Sequence, residues 1–259
     1  MAEIEQLKTP KSDLILGDCL ERMKEIPDKS VDLCLTDPPY GTTACKWDSA
    51  IPFKPMWEQL KRIVKDNGAI CLFGSEPFSS ALRMSNIKMF KYDWYWYKNT
   101  QSGISLSKKQ PMRSIELISV FGAKKYYPQK MKSRDKTAGK RKESSETKDK
   151  YSSEHTGNMK FTAVHRKHGK TRNTLVYPRN VLEYKVVTKK GILHSTQKPV
   201  ALLEYLIRTY TLENETVLDF TMGSGSTGVA ARNLKRNFIG IEKDKEYFEI
   251  AKDRISNGC

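Results

Sequence analysis

One stretch near the end of the chain constrains the fold more than any other. Residues 216–244, TVLDFTMGSGSTGVAARNLKRNFIGIEKD, read as a strand, a glycine-rich turn, a helix and a second strand that ends in an acid. Glycines allow a tight strand-to-helix turn and a close approach of the backbone to a ligand. The pattern therefore predicts one strand–helix–strand unit of a mostly parallel sheet.

The same unit has the features of a nucleoside site. Gly223, Gly225 and Gly228 form the spacing G-x-G-x-x-G. Glu242, at the tip of the second strand, can accept hydrogen bonds from ribose hydroxyls. The glycines alone are also compatible with a plain strand-to-helix turn. NAD is the alternative ligand, but Asp219 at the first strand tip would face a pyrophosphate unfavourably and an amino group well.

Short apolar runs elsewhere alternate with helical patterns. The predicted strands are DLILG, VDLCLTD, GAICLFG, YDWYWYK, ELISVFG, TVLDFT and NFIGIE. The predicted helices are CLERMKEI, KPMWEQLKRIVKDNG, PVALLEYLIRTY, STGVAARNLKR and EYFEIAKDRI. In the second helix, Val64 belongs to the apolar stripe and Gly68 is the predicted stop. The alternation predicts a doubly wound α/β sheet.

The basic charge of the chain is concentrated in one segment. The formal net charge is +16, and residues 124–190 hold 20 lysines and arginines against 6 acids, an excess of 14. A polyanion-binding region has this distribution, and so does a solvated insertion. The stretch KSRDKTAGKRKESSETKDKYSSEHTGNMK is too polar to form a core by itself, so we expect a basic, partly flexible insertion.

Cysteine usage and hydropathy argue against several classes of protein. The five cysteines form no C-x-x-C pair, so the sequence suggests neither a disulfide framework nor a zinc site, and we predict no metal. The first residues lack an apolar signal core, and no stretch approaches the length of a membrane span. We therefore expect a cytoplasmic enzyme without a membrane partner.

Three further motifs accompany the glycine-rich turn, namely LGDC at 16–19, TDPPYG at 36–41 and HSTQKP at 194–199. Together with DFTMGSGSTG and GIEKD, they resemble the S-adenosylmethionine-dependent DNA amino-methyltransferases. Enzymes of that family methylate the exocyclic amine of adenine or cytosine. The order of the motifs is similar to the subgroup called β, in which the glycine-rich loop comes last.

The resemblance implies a Rossmann-like methyltransferase sheet formed by both flanks of the basic segment. Residues 1–123 would form the catalytic half, which contains TDPPYG, and residues 191–259 would form the cofactor-binding half. Residues 124–190 would form the target-recognition region, with double-stranded DNA as its partner. Dimers are familiar in the subgroup. The sequence is compatible with a homodimer and with a restriction endonuclease partner, and it decides neither.

The implied cofactor is S-adenosyl-L-methionine. Its predicted ligands are Asp18, Asp37, His194, Lys198, Asp219, Gly223, Gly225, Thr227 and Glu242. Asp219 would hold the amino acid end of the cofactor, and Glu242 would hold the ribose. Asp18 would lie near the adenine ring, or it caps the helix that follows. For His194, a packed, hydrogen-bonded loop histidine is the alternative.

The implied reaction gives TDPPYG a role. An exocyclic amine is a poor nucleophile because its lone pair is delocalised into the ring. Asp37 and a backbone carbonyl of the proline turn can accept both amine hydrogens, and the prolines fix that turn. The target base must leave the duplex, and Tyr40 can stack on it, with a buried core tyrosine as the alternative. The predicted catalytic residues are Asp37, Pro38, Pro39 and Tyr40.

Specificity is expected from the basic residues, most of which would neutralise phosphates while a few read bases. The predicted DNA-binding residues are Lys46, Lys124, Lys125, Arg134, Arg141, Lys142, Arg166, Lys167 and Arg172. Trp47, beside Lys46, either belongs to a loop over the DNA or packs against the sheet.

The target is predicted to be adenine N6, because DPPY usually accompanies adenine methylation in the family. Cytosine N4 is the alternative within it. Other classes that we weigh are a nicotinamide-dependent oxidoreductase, an inactive nucleic-acid-binding protein, and an RNA or protein amine methyltransferase. The last of these usually has N-P-P-Y in place of D-P-P-Y.

Overall fold

Strands and helices alternate along most of the chain. The computed structural model describes residues 10–41, 50–104, 107–132, 175–187 and 197–257. The strands are β1 (Ser12–Leu16), β2 (Val31–Thr36), β3 (Val64–Gly74), β4 (Phe90–Ser102), β5 (Arg113–Gly122), β6 (Met131–Lys132), β7 (Leu175–Val176), β8 (Val181–Glu183), β9 (Thr216–Asp219) and β10 (Asn237–Glu242). The helices are α1 (Cys19–Arg22), α2 (Phe53–Ile63), α3 (Phe78–Ser85), α4 (Val200–Tyr210), α5 (Ser226–Asn233) and α6 (Lys245–Asn257).

Eight of the strands form one sheet in the order β1, β10, β9, β2, β3, β5, β4, β8. All neighbouring strands in it are parallel except β5, which runs antiparallel to β3 and β4. Every strand predicted from the sequence belongs to this sheet. The predicted doubly wound, mostly parallel α/β fold is confirmed.

Both faces of the sheet are buried, which is why its strands read as continuous apolar runs. Along β2, Leu33 and Leu35 belong to one apolar cluster, together with residues of α4, α5 and α6. Cys34 points to the other cluster, which contains residues of α2 and α3. This alternation follows from the two-residue period of a strand. The sheet is therefore the middle layer of three.

The predicted helix through Gly68 is wrong at its carboxyl end. Helix α2 stops at Ile63, and Val64 has extended backbone and pairs with Val31 of β2. Gly68 lies inside β3, where a Cβ atom would come within 2.7 Å of the Asp32 carbonyl oxygen. The glycine thus permits close contact with β2, and strand pairing overrides the local helical pattern.

The chain divides into two compact units. The larger comprises Met1–Gln129 and Arg179–Cys259 and contains the eight-stranded sheet. The smaller is Lys130–Pro178, in which the structure describes the antiparallel pair of β6 and β7. Domain limits at residues 123 and 190 stay a prediction. No helix within the described ranges is both long and apolar enough to cross a bilayer.

Candidate active site

A cavity of about 650 Å³ lies at the carboxyl edge of the parallel strands. Its walls include the residues that follow β1, β2, β9 and β10. Strands β9 and β2 are neighbours in the sheet, and the chain leaves them in opposite directions, toward β10 and toward β3. Ligands of doubly wound folds bind in the crevice at such a switch point. The fold therefore brings motifs from both ends of the chain to one cavity.

The glycine-rich turn between β9 and α5 depends on the absence of a side chain at Gly225. This residue has φ of +78°, in the left-handed region, and it caps the amino end of α5. A Cβ atom there would come within 2.9 Å of the Ala251 Cβ. Both backbone conformation and packing therefore require glycine at this position.

Glu242 holds this turn at the tip of β10. Its Oε2 accepts a hydrogen bond from the Gly223 N–H at 2.8 Å. Its Oε1 accepts from the N–H groups of Lys243 and Asp244, each at 2.8 Å. A carboxylate has about four acceptor positions, so one position on Oε2 stays available to a ligand in the cavity.

Asp219 lies at the floor of the cavity and is 4% exposed. Its Oδ1 accepts from the Thr36 hydroxyl and from the Thr221 N–H, and its Oδ2 accepts from the Thr227 hydroxyl at 2.6 Å. Burial raises the pKa of Asp219 from its ordinary 3.8 to about 6, although these hydrogen bonds oppose the rise. The carboxyl group is thus oriented by neighbours from β2, from the turn after β9 and from α5.

We expect Asp219→Asn to reduce the loss of stability that accompanies rising pH. The folded protein holds the Asp219 proton more tightly than the unfolded chain does. Its contribution to stability is therefore present below pH 3.8 and is lost as pH rises through about 6. The two pKa values imply an effect of about 3 kcal/mol over this range. Urea unfolding of both proteins at several pH values measures it, and a constant difference between them would contradict the assignment.

The turn Asp37–Tyr40 follows β2 and lines the same cavity. The Thr221 hydroxyl donates to the Asp37 carbonyl oxygen at 3.1 Å, so the glycine-rich turn and the proline turn are directly joined. The Tyr40 hydroxyl donates to Asp37 Oδ1 at 2.6 Å. The Tyr40 ring packs against Phe78, with 5.0 Å between ring centroids.

Asp37 belongs to a cluster of buried charges. Lys198 Nζ donates to Asp37 Oδ2 and lies 3.0 Å from Glu116 Oε1. Lys98 Nζ lies 3.4 Å from Glu116 Oε2, and the Tyr40 hydroxyl lies 3.4 Å from Glu116 Oε1. The cluster therefore contains two carboxylates, two ammonium groups and one phenol, with no net charge when the acids are ionised.

Burial and ion pairing shift the pKa values of these groups in opposite directions. Burial raises the pKa of Asp37, and Lys198 opposes that rise while Glu116 adds to it. Burial alone would raise the pKa of Glu116, but Lys198 and Lys98 outweigh it and hold that pKa below its ordinary value. For Lys198, burial would lower the pKa, yet Asp37 and Glu116 raise it above its ordinary value. Lys198 is therefore a cation shared by two acids.

The comparison with protein families settles the class of this chain. A family described as DNA methylase, which covers N6 and N4 enzymes, matches residues 31–253. The chain belongs to the N6/N4 DNA methylase family. The predicted family is thus confirmed, and S-adenosylmethionine, the predicted cofactor, is the one that this family uses. Membership argues against the nicotinamide-dependent oxidoreductase.

Relatives of this methylase match nearly its full length. The Type II methyltransferase M.HpaI from Haemophilus parainfluenzae is 27% identical over 261 residues, which are 94% of this chain and 74% of that protein. The Type II methyltransferase M.HinfI from Haemophilus influenzae is 28% identical over 273 residues, 93% of this chain and 67% of that protein. A crystal structure of an M1.HpyAVI–SAM complex has a TM-score of 0.61 at 25% identity, with 94% of this chain and 98% of that chain covered.

The structure places most of the motif residues of this methylase around the cavity. The predicted residues that line it are Asp18, Asp37, Pro38, Pro39, Tyr40, Lys198, Asp219, Gly223, Thr227 and Glu242. Asp18 also caps α1, because its Oδ1 accepts from the Leu20 N–H at 3.0 Å. Lys198, predicted on the cofactor side, contacts Asp37 of the proline turn. The roles of all these residues stay predictions.

Most of the predicted DNA-binding residues lie outside the part of the chain that the structure describes. His194 of the cofactor set and the candidates Lys46, Arg134, Arg141, Lys142, Arg166, Lys167 and Arg172, with Trp47, lie outside the described residues. Lys124 is exposed. Lys125 Nζ lies 2.5 Å from Glu215 and 3.6 Å from Asp32. These acids lie near the amino ends of β9 and β2, at the edge opposite the cavity, so the Lys125 charge also serves the fold.

Sequence reasoning missed three polar residues of the site, namely Thr36, Glu116 and Thr221. Thr36 and Thr221 belong to the motifs but have no predicted role, yet they connect Asp219 to the turn at Asp37. Glu116 begins a predicted strand and likewise has no predicted role. A carboxylate in an otherwise apolar, aromatic strand region was the available signal, since charged residues are rarely buried unless they are paired.

Proposed function

We propose that this methylase transfers the methyl group of S-adenosylmethionine to the N6 amine of an adenine rotated out of double-stranded DNA. One observation carries the proposal. The turn Asp37–Tyr40 and the acids Asp219 and Glu242 line a single cavity, and the Thr221 hydroxyl joins the two motifs through the Asp37 carbonyl. An acceptor for an amine and a nucleoside site are therefore adjacent.

The residues of the cavity fit the proposed cofactor. Its volume of about 650 Å³ lies within the range of sites that enclose small molecules. Asp219 has three hydrogen bonds from protein groups, which leaves one of its acceptor positions for the ammonium of the amino acid end. Glu242 likewise keeps one position for a ribose hydroxyl. M1.HpyAVI, the structural relative, was solved with SAM.

Asp37 and the proline turn would prepare the amine. When bound, S-adenosylmethionine would supply a methyl group on a cationic sulfur: the N–C bond forms as the C–S bond breaks, the thioether leaves, and the proton lost by the amine passes to water. Asp37 would accept a hydrogen bond from one N–H of the amine, and a carbonyl oxygen of the turn would accept a hydrogen bond from the other. The lone pair then becomes localised on nitrogen. Catalysis rests on positioning and on preorganised charge.

Tyr40 would hold the flipped base. Its ring borders the cavity and rests against Phe78, which supports it from within the apolar cluster. Aromatic stacking is the usual way in which proteins hold an extruded base. Rotation out of the duplex is required because the amine is otherwise out of reach.

The basic segment, residues 124–190, is the proposed DNA-binding region. Its excess of 14 positive charges can neutralise phosphates, which makes binding depend on salt concentration. Adenine is favoured over cytosine by the aspartate at the first position of the proline motif. A homodimer and an endonuclease partner remain predictions, and the Type II names of the relatives are consistent with the second.

Labelled methyl transfer tests the proposal directly. The protein is incubated with methyl-labelled S-adenosylmethionine and unmethylated duplex DNA, and the digested nucleosides are separated. We expect the label in N6-methyladenine. Label in N4-methylcytosine would replace the base assignment, and no label in any nucleoside of several unrelated DNAs would overturn the proposed activity.

A further inference from the structure

We propose that Glu116 is a positioning residue that draws Lys198 away from Asp37 when the target amine binds. The proposal rests on the proposed function, since it concerns how Asp37 becomes available to an amine. Glu116 lies on β5, whereas the proline motif follows β2, and no motif of the sequence contains it.

Both carboxylate oxygens of Asp37 accept hydrogen bonds from strong donors. The Tyr40 hydroxyl donates to Oδ1 at 2.6 Å, and Lys198 Nζ donates to Oδ2. An incoming amine needs one of these oxygens in good hydrogen-bond geometry. Each of these oxygens keeps a second acceptor position, but a cation on Oδ2 weakens that oxygen as an acceptor, so Asp37 orients an amine better once Lys198 moves away.

Of the two donors, Lys198 lies nearer to a second anion, since the Tyr40 hydroxyl is 3.4 Å from Glu116 Oε1. Its Nζ lies 3.0 Å from Glu116 Oε1, so a small displacement exchanges one carboxylate for the other. The Lys198 side chain is 10% exposed and that of Glu116 is 13% exposed. At this burial, a cation that leaves one carboxylate needs another, because an unpaired buried charge is costly. Glu116 supplies that partner.

The sheet explains why Glu116 can reach the site. Strand β5 is antiparallel to β3, so its amino end lies at the carboxyl edge of the parallel strands. Glu116 pairs in register with Trp96 of β4, and Lys98 from the same strand contacts its other oxygen. Lys98 thereby fixes the Glu116 carboxylate while Oε1 faces Lys198.

A purely structural role is the competing explanation, since a buried ion pair can simply stabilise the fold. Asp93→Asn provides a matched control. Asp93 lies on β4, is 11% exposed, and pairs with Arg83 at 3.3 Å and with the Ser119 hydroxyl at 2.6 Å. It does not line the cavity. Asp93→Asn therefore removes a comparable buried charge without touching the proposed site.

The test compares Glu116→Gln with wild type and with Asp93→Asn. We expect Glu116→Gln to bind S-adenosylmethionine as wild type does but to lose about 10- to 100-fold in kcat, the scale of a misplaced reacting group. The Glu116 charge raises the pKa of Asp37, so its removal should move the acidic limb of the pH–rate profile to lower pH. Asp219 also titrates in the acidic range, but it is present in all three proteins and so does not account for a difference between their profiles.

A double-mutant cycle with Lys198→Met identifies the path of the effect. If Glu116 acts through Lys198, adding Glu116→Gln to Lys198→Met costs much less kcat than it does in wild type. Additive losses would overturn the proposal. So would an unchanged acidic limb in Glu116→Gln, or an equal loss of kcat in Asp93→Asn.

Two further readouts keep the outcome decisive. Should Glu116→Gln lack a thermal unfolding transition, Lys98→Met tests the same point, because it leaves Glu116 freer to attract Lys198. Its acidic limb should move to higher pH, and an unchanged limb would overturn the proposal. Failure of the proposed function is recognised separately, since wild type itself would then transfer no methyl group to DNA.

Discussion

We expect Asp37→Ala to lower methyl transfer to DNA by about 10²- to 10³-fold while S-adenosylmethionine still binds. This is the largest effect on turnover that we expect from any single substitution. Asp37 is the proposed side-chain acceptor for the amine, and removal of one preorganised polar group from a transition state has a cost of this size. The loss should fall on kcat, because the interaction is made chiefly in the transition state.

Single-turnover methylation and equilibrium cofactor binding separate these effects. The predicted cofactor acceptors are Asp219, which Thr227 orients, and Glu242. Their hydrogen bonds do not involve the Asp37 side chain. Asp37→Asn is the matched variant, since it keeps one acceptor oxygen and the volume of the residue. Loss of cofactor binding in Asp37→Ala, with turnover preserved at high cofactor concentration, would contradict the role assigned to Asp37.

The fold was accessible from the sequence because its information is local. Every strand of the sheet except β8 contains a short apolar or aromatic run, and in β2 and β3 burial of both faces produces such runs without alternation. The glycine-rich turn was equally readable, since a left-handed residue at Gly225 must be glycine. Where two local signals overlapped, as at Val64, the pairing with Val31 decided the outcome, and no local pattern reports that pairing.

The charge cluster was not accessible in the same way. Lys198 and Asp37 are separated by 161 positions, and Glu116 lies 76 positions from Tyr40. The motifs predicted that Asp37 and Lys198 belong to one family site, but not that they touch. Contacts of this kind follow from the strand order, in which β5 is inserted antiparallel beside β3. The apolar pattern of the sequence predicts that β5 is a strand, but it does not predict the direction in which β5 runs.

Glu242→Ala is expected to weaken S-adenosylmethionine binding by about 100-fold. We propose two functions for Glu242 in the cavity. It keeps an acceptor position for the ribose, and it orders the glycine-rich turn by accepting from the Gly223 N–H, while the N–H groups of Lys243 and Asp244 hold its other oxygen. Hydrogen bonds to a charged group contribute about 1.5–3 kcal/mol each, so loss of the ligand bond and of the preorganised turn readily reaches this magnitude.

Turnover at saturating cofactor should stay near the wild-type value, because the predicted partner of Glu242 is the ribose, which does not react. Glu204→Ala is a suitable control. Glu204 accepts from Arg208 at 2.9 Å and from Asn233 at 2.8 Å, and it lies on α4 outside the cavity. Calorimetric titration of both variants should show weak cofactor binding only for Glu242→Ala. A fall in kcat with unchanged cofactor affinity would instead place Glu242 with the reacting groups and remove it from the ribose site.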